Sequence, residues 1–144
     1  MTFLIATGTS APGLKIGGTD LSNHVQSIEV QMNVNDIDVT AMGAVSQQHA
    51  QGLRDDRMIV TFFADFAAAS VDAVLNPLIA LGSAGATVIA YTNGTTASST
   101  APSYTCVMLP FTYSPLNGQV GTAFQTQVTF MPVQGSSGIV RGTT

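Results

Sequence analysis

From Ser27 to Asn35 the chain alternates without a break. Odd positions are polar (Ser27, Glu29, Gln31, Asn33, Asn35) and even positions apolar (Ile28, Val30, Met32, Val34). Successive side chains of an extended strand point to opposite faces, so the pattern predicts a strand with one face in a core and the other in water. The phase then inverts: Ile37, Val39 and Ala41 are apolar, while Asp36, Asp38 and Thr40 are polar. A one-residue slip of register would send every side chain to the wrong face. The inversion therefore predicts a β-bulge within Val34–Asp36. A tight reversal is disfavoured because no Gly stands there to take positive φ.

Further strands follow. Arg57–Ala64 is apolar on both faces (Met58, Val60, Phe62 and Ile59, Phe63), which predicts a strand in the middle of the fold. Ala86–Thr92, Tyr104–Tyr113 and Thr122–Pro132 are the others. The last two flank Ser114–Gly118, and its Asn117-Gly118 pair is the strongest short hairpin signal because both residue types tolerate positive φ. Asn93-Gly94 marks another turn, ahead of a Thr/Ser/Ala stretch through Ser103. One helix is predicted over about residues 70–81. Ser70 can cap its first amides and Asp72 suits its positive end. Val71, Val74, Leu75, Leu78 and Ile79 share one face, Pro77 should shorten or kink it, and Gly82 ends it. The expected fold is mainly β, a β-sandwich or barrel with one short flanking α-helix, in a single domain spanning residues 1–144.

Composition narrows function. Four Lys and Arg and eight Asp and Glu make 8% of the chain, against roughly a quarter in ordinary soluble domains. Thr, Ser, Gln, Asn, Ala and Gly take their place. A free monomer with so little surface charge is prone to self-association, so much of this surface is expected to face copies of the same chain. The net charge of −4 argues against general affinity for nucleic acid, which needs clustered Lys and Arg. Cys106 is the single cysteine, expected buried and inert. Met1–Ser10 lacks the basic residues of a signal peptide. Val71–Tyr91 is interrupted by Asn76, Pro77, Gly82 and Gly85, so no membrane anchor is expected and synthesis in a cytoplasm is implied.

No constellation announces catalysis. Asp36 and Asp38 share a strand face but lack a third ligand, and His24 and His49 have no partner at metal-binding spacing. No nucleophile elbow or phosphate-binding loop is present. The expectation is no enzyme, no metal and no cofactor. Arg54-Asp55-Asp56-Arg57 concentrates charge and reads either as a salt-bridging contact to a neighbour or as a polar turn. The segment Met42–Asp56 has no period and reads as a long loop. Loops of that length in compact domains are functional or mobile, and contact with a partner fits best. The subunit-contact candidates are Met42, Gly43, Val45, Ser46, Gln47, Gln48, His49, Gln51, Arg54 and Asp55. The polar strand face Glu29, Gln31 and Asn33 is expected to look onto solvent.

Several segments together resemble one family. Asp36-Ile37-Asp38-Val39-Thr40-Ala41-Met42-Gly43 is similar to the DVT-x-(M/F)-G strand end of bacteriophage tail tube (major tail) proteins. Gly52-Leu53-Arg54-Asp55-Asp56, the strand through Ala64 and then Asp65-Phe66-Ala67-Ala68 resemble the GL-(K/R)-D-G … F-x-x-D block of that group. Ser70–Leu78 looks like its short helix, and Val128-Thr129-Phe130 with Gly138–Thr144 fits its end. Asp56 departs from the pattern, standing where Gly is expected in a turn, and Thr95–Ser103 is poor in charge. The resemblance implies a virion protein of the tail, made in the host bacterium. It implies stacked hexameric rings, contacts with copies of itself and with other phage structural proteins, and a channel through which DNA passes without specific binding. The loop after the DVT strand would reach an adjacent subunit or ring, and Glu29, Gln31 and Asn33 would be lumen-face candidates.

Two other readings compete. A capsid decoration or head-completion protein would also be β-rich and self-associating, but would form a small closed oligomer. A small β-sandwich binding module, for carbohydrate, is weakened by the absence of Trp and the presence of three Tyr.

Overall fold

The computed structural model describes residues 11–144, so the Met1–Ser10 stretch read for a leader lies outside the described residues. The elements are β1 (Gly13–Ile16), β2 (Thr19–Asp20), a 3-10 turn at Ser22–His24, β3 (Val25–Asp38), β4 (His49–Phe63), α1 (Val71–Ile79), β5 (Ala86–Tyr91), β6 (Ser103–Thr112), β7 (Gln125–Pro132) and β8 (Val140–Gly142). All eight strands join one antiparallel sheet in the order β2-β1-β5-β6-β7-β4-β3. β8 shares the edge of β6 with β7: β8 pairs Ser103–Thr105 and β7 pairs Met108–Thr112.

Pairing places the core on one face. Directly opposed residues share a face of the ladder. Met58 opposes Phe130 and Val60 opposes Val128. Val88 opposes Cys106, and on its other side Ile16. Leu14, Ile16, Met58, Val60, Phe62, Val88, Met108, Val128 and Phe130 are all buried in one cluster. The sheet curls around this face, so that Ile28 and Val30 of β3 line a groove with Ala90 and Tyr104 of β5 and β6, although those strands are far apart in the sheet order. The expected β-sandwich or barrel is thus built as a single curled sheet.

α1 completes the core, resting mainly against β6. Val71 and Leu75 are buried, and Val74 and Leu78 pack half-buried on the same cluster as Val60 and Phe62. Ile79, placed on the apolar face by its spacing, is largely exposed. The helix is shorter than the predicted span, with Pro77 inside its last turn. Ser70 does not cap it as expected: its hydroxyl donates to the carbonyl of Asp65 at 3.1 Å, and the Asp72 amide uses that same carbonyl at 3.2 Å. The Tyr113 hydroxyl donates to Asp72 Oδ1 at 2.7 Å, tying α1 to the end of β6. Burial, reinforced by this carboxylate, pushes the Tyr113 pKa well above its ordinary value. His24 Nε2 meets Asp65 Oδ2 at 2.8 Å and anchors the segment entering α1.

Two boundaries differ from the sequence expectation. β6 and β7 are not joined by a tight Asn-Gly hairpin. Their connection runs from Tyr113 to Phe124, and Gly118 has ordinary negative φ. A Cβ on Gly118 would fall inside the Phe124 ring, so this glycine makes room for an aromatic rather than a turn. The predicted loop Met42–Asp56 is the other difference. Its second part, His49–Asp56, belongs to β4, which begins well before the predicted Arg57.

The buried helix face gives a stability test. Leu75→Ala removes a fully buried side chain and should cost about 2–5 kcal/mol, lowering the thermal midpoint clearly, while Gln47→Ala in an exposed loop should leave it unchanged. An undiminished midpoint for Leu75→Ala would refute the core placement. Acid should act through Asp65. The Ala67 amide and then His24 hold its carboxyl below the ordinary 3.8. The folded state therefore binds this proton less readily than the unfolded chain. The stabilisation is complete above the unfolded value and is lost as pH falls through the folded one. Asp65→Asn should flatten part of the midpoint-against-pH curve below pH about 4, and an acid limb identical to wild type would show that Asp65 contributes nothing there.

Candidate functional site

β3 and β4 are the longest strands, and they outrun the sheet. Their partnership extends from Val25–Phe62 to Asp38–His49, whereas β7 covers β4 only from Met58 to Phe63. Beyond Met58 the pair projects as a two-stranded hairpin. Val39 donates to the Gln48 carbonyl at 2.9 Å, and Thr40 and Gln48 are joined through the Thr40 hydroxyl, which closes the end. Met42, Gly43, Val45, Ser46, Gln47 and Gln48 form the exposed tip. His49, Gln51, Arg54 and Asp55 are exposed strand residues of β4, not loop residues.

The phase inversion is real, and its cause lies on the partner strand. Val34 opposes Arg54 and Asp36 opposes Gln51, so Gly52 and Leu53 together face Asn35. The bulge predicted within Val34–Asp36 is thus at that height of the ladder, with its extra residue in β4. Gly52 fits because a Cβ there would press on the Asn35 carbonyl and the Ile37 side chain, each at 3.1 Å. Ile37 consequently lies on the same side as Gln31 and Asn33, opposite to Val30, Met32 and Val34. Both faces of the outer hairpin carry apolar residues. Met32, Val34, Ile37 and Val39 are about half exposed, Leu53 is 82% exposed, and Met42 and Val45 are fully exposed. The alternation had assigned Met32 and Val34 to the core. They lie instead at the edge of the core, where about half of each side chain stays exposed.

Charge is laid out in pairs across this hairpin. On one face His49 Nδ1 meets Asp36 at 2.9 Å. Asp38 accepts from the Thr40 hydroxyl and amide, which lowers its pKa. The Arg54–Arg57 run is neither a turn nor a free contact cluster. It is a strand whose charges alternate sides. Asp55 and Arg57 pair on the outer face. Arg54 and Asp56 pair on the core face, with Arg54 Nη2 at 2.6 Å from Asp56 Oδ2. Asp56 is 2% exposed and accepts from the Ile139 amide at 2.8 Å, while Arg54 Nη2 donates to the Ile139 carbonyl at 3.0 Å. Arg54, offered as a subunit contact, spends its guanidinium within the chain.

The outer face of the sheet is polar next to the hairpin root. Glu29 and Asn33 are exposed and Gln31 is half-buried, with Gln31 Nε2 donating to Glu29 at 2.6 Å. Ser27 opposes Thr61, which opposes Gln127, and Gln31 opposes Arg57. Among the described residues β3 ends the sheet order, so no described strand pairs with its outer edge. At the other end of β4, on the order of 45 Å from His49 at ~3.3 Å per residue, lie the exposed Phe63, Phe66 and Phe124.

Among the described residues no three His, Cys, Asp or Glu come together as metal ligands, and no helix is long and apolar enough to cross a membrane. The arrangement offers surfaces for binding another protein: a projecting apolar hairpin, an unpaired strand edge and a polar sheet face.

No protein-family description matches this sequence, and no curated relative does. Solved structures do match. A chain of the virion of a native gene transfer agent particle superposes with a TM-score of 0.68 at 8% identity, covering 94% of this chain and 99% of that one. A chain of the sheath-tube complex of an extracellular contractile injection system, in its extended state, gives 0.66 at 9% identity over 97% and 93%. A chain from the tail of an empty gene transfer agent particle, refined helically with C6 symmetry, gives 0.65 at 9% identity over 92% and 98%. The chain therefore shares, over more than nine-tenths of its length, the fold of these particle chains.

Proposed function

We propose that this chain is a structural, non-enzymatic subunit of a tail tube. It assembles with copies of itself into rings of six that stack into a conduit for DNA, in a phage or phage-like virion, alongside other structural proteins of the particle. The observation that carries the reading is the projecting β3–β4 hairpin, with apolar side chains on both faces that the described residues leave half to fully exposed. Water contact at Met32, Val34, Ile37, Val39, Met42, Val45 and Leu53 is unfavourable, and covering one such side chain is worth about 1.5–3 kcal/mol. The unpaired β3 edge suits pairing with a neighbouring subunit. The hairpin tip and the Phe63 end of β4 are different surfaces at opposite ends of one strand. A contact between them would be heterologous, the kind that can repeat along an axis as a tube requires. The likeness in fold to a tail solved with C6 symmetry supports rings of six.

In this reading Glu29, Gln31 and Asn33 line the lumen. That face carries little net charge because Asp55 and Arg57 neutralise each other. DNA would slide past it without the phosphate clamps that unpaired Lys and Arg would form.

Electron microscopy of the purified protein at rising concentration should show rings or open-ended cylinders. Val45→Asp with Leu53→Lys should leave the thermal midpoint unchanged and abolish them. Closed oligomers of fixed size, unaffected by both substitutions, would instead indicate a decoration protein. For the lumen, Gln31→Lys with Asn33→Lys should slow DNA release from assembled particles while sparing assembly, and unaltered release kinetics would remove that face from the channel.

A further inference from the structure

Asp56 is a buried carboxylate in a chain that has few charges to spend. Its position follows from what it holds. It faces the core at the height of Met32, just inside the Gly52–Leu53 bulge where the hairpin leaves the sheet. One oxygen receives the Ile139 amide, and the partly exposed Arg54, two residues nearer the tip, bonds both Asp56 and the Ile139 carbonyl. Both polar groups of one residue in the C-terminal segment are thereby clamped to the hairpin root. The Ile139 side chain is itself in the core cluster. Gly138 makes the approach possible: its φ is +86°, and a Cβ there would collide with Asp56 Oδ2.

Beyond this clamp the described residues give the hairpin no hydrogen-bonded support. The hydrogen bonds of residues 35–53 stay within the hairpin among the described residues. Six residues of extended chain from Asn35 make an arm of ~20 Å, so a tilt of about 10° at the root moves its end by about 3–4 Å, a full atomic contact distance. A two-stranded ribbon bends most readily at a bulge. Something must fix the angle there if apolar groups at the tip are to meet a neighbour in register.

We infer that Arg54, Asp56 and the Gly138–Ile139 turn form a brace that sets the angle of the projecting hairpin, making Asp56 and Gly138 positioning residues for assembly. The role in assembly rests on the tube reading above; the brace itself does not. The C-terminal segment and the hairpin root act as one unit, so a change at Gly138 is felt at the tip although the two are remote in sequence.

The test reads the free subunit. Spin labels at Gln47→Cys on the tip and Gln127→Cys on β7, in a Cys106→Ser background, report the tip-to-body distance by pulsed electron resonance at concentrations too low for assembly. The unbraced variants are Asp56→Asn, which loses the ion pair, and Gly138→Ala, which alters no hairpin residue. Both should broaden the distance distribution at least twofold. Leu75→Ala, destabilising at the core, should leave its width unchanged. Without labels, both brace variants should raise the concentration needed for polymerisation by tenfold or more. A distribution as narrow as wild type in Asp56→Asn and Gly138→Ala, or equal broadening in Leu75→Ala, overturns the brace. A broadened distribution in a protein that never polymerises upholds the brace and removes the tube reading instead.

Discussion

Among the described residues, one sheet and one nine-residue α-helix must hide the apolar surface. A flat sheet would leave most of its inner face wet. The sheet curls until strands far apart in its order close over the same cluster, and α1 fills the remaining opening with Val71 and Leu75. The arrangement depends on the alternating registers of the ladders that join β1, β5, β6, β7 and β4. A slip in any one ladder would turn its buried row outward. The curl also decides what is left over. β3 and β4 are longer than the body they help to build, and their surplus length has no apolar face to rest on.

Much of this was legible in the sequence because period two is a local signal. The strand of residues 27–35, the central strand through Phe62 and the helix near 71–79 all follow from spacing alone. The phase inversion at Val34–Asp36 located a real irregularity to within a residue or two. What spacing could not show was which strand carried the extra residue, since a bulge on either side of a ladder rephases the same pair. The loop reading of residues 49–56 failed for a related reason. The charged run Arg54–Arg57 reads as polar throughout, but in the strand its members alternate between a buried brace and an exposed pair. Asp56, noted as a departure where Gly was expected, was the visible sign of that buried site. Its partners, Gly138 and the Ile139 peptide, lie more than eighty residues away and backbone groups leave no mark in composition. Asn117-Gly118 misled because glycine there serves the Phe124 ring, a tertiary demand that a dipeptide cannot reveal.

The distribution of charge gives the surface its logic. No Asp, Glu, Lys, Arg or His occurs between Asp72 and Arg141. That span supplies β5, β6, β7 and most of α1, whose exposed residues include Leu81, Phe111, Leu116 and Val120. A surface of this kind is poorly kept in solution as a monomer. Of the chain's twelve charges, four are paired in place, Arg57 with Asp55 and Arg54 with Asp56. With so few charges in all, long-range attraction between copies is weak.

That scarcity of charge bears on how such a subunit could assemble in order. Without strong charge, orientation on contact must come from shape and from apolar fit, which act only at short range. Shape is then required to be stiff at the points of contact, because a loosely held apolar arm associates in many ways and a fixed one in few. The costly features of the fold fall where this demand is greatest: a bulge with glycine at the hairpin root, a buried carboxylate beside it, and a left-handed glycine in the segment that it grips. Taking a carboxylate out of water is costly even when it is paired and hydrogen-bonded, so the placement of Asp56 at the hinge rather than at the centre of the core is better explained by the geometry it enforces than by the stability it adds.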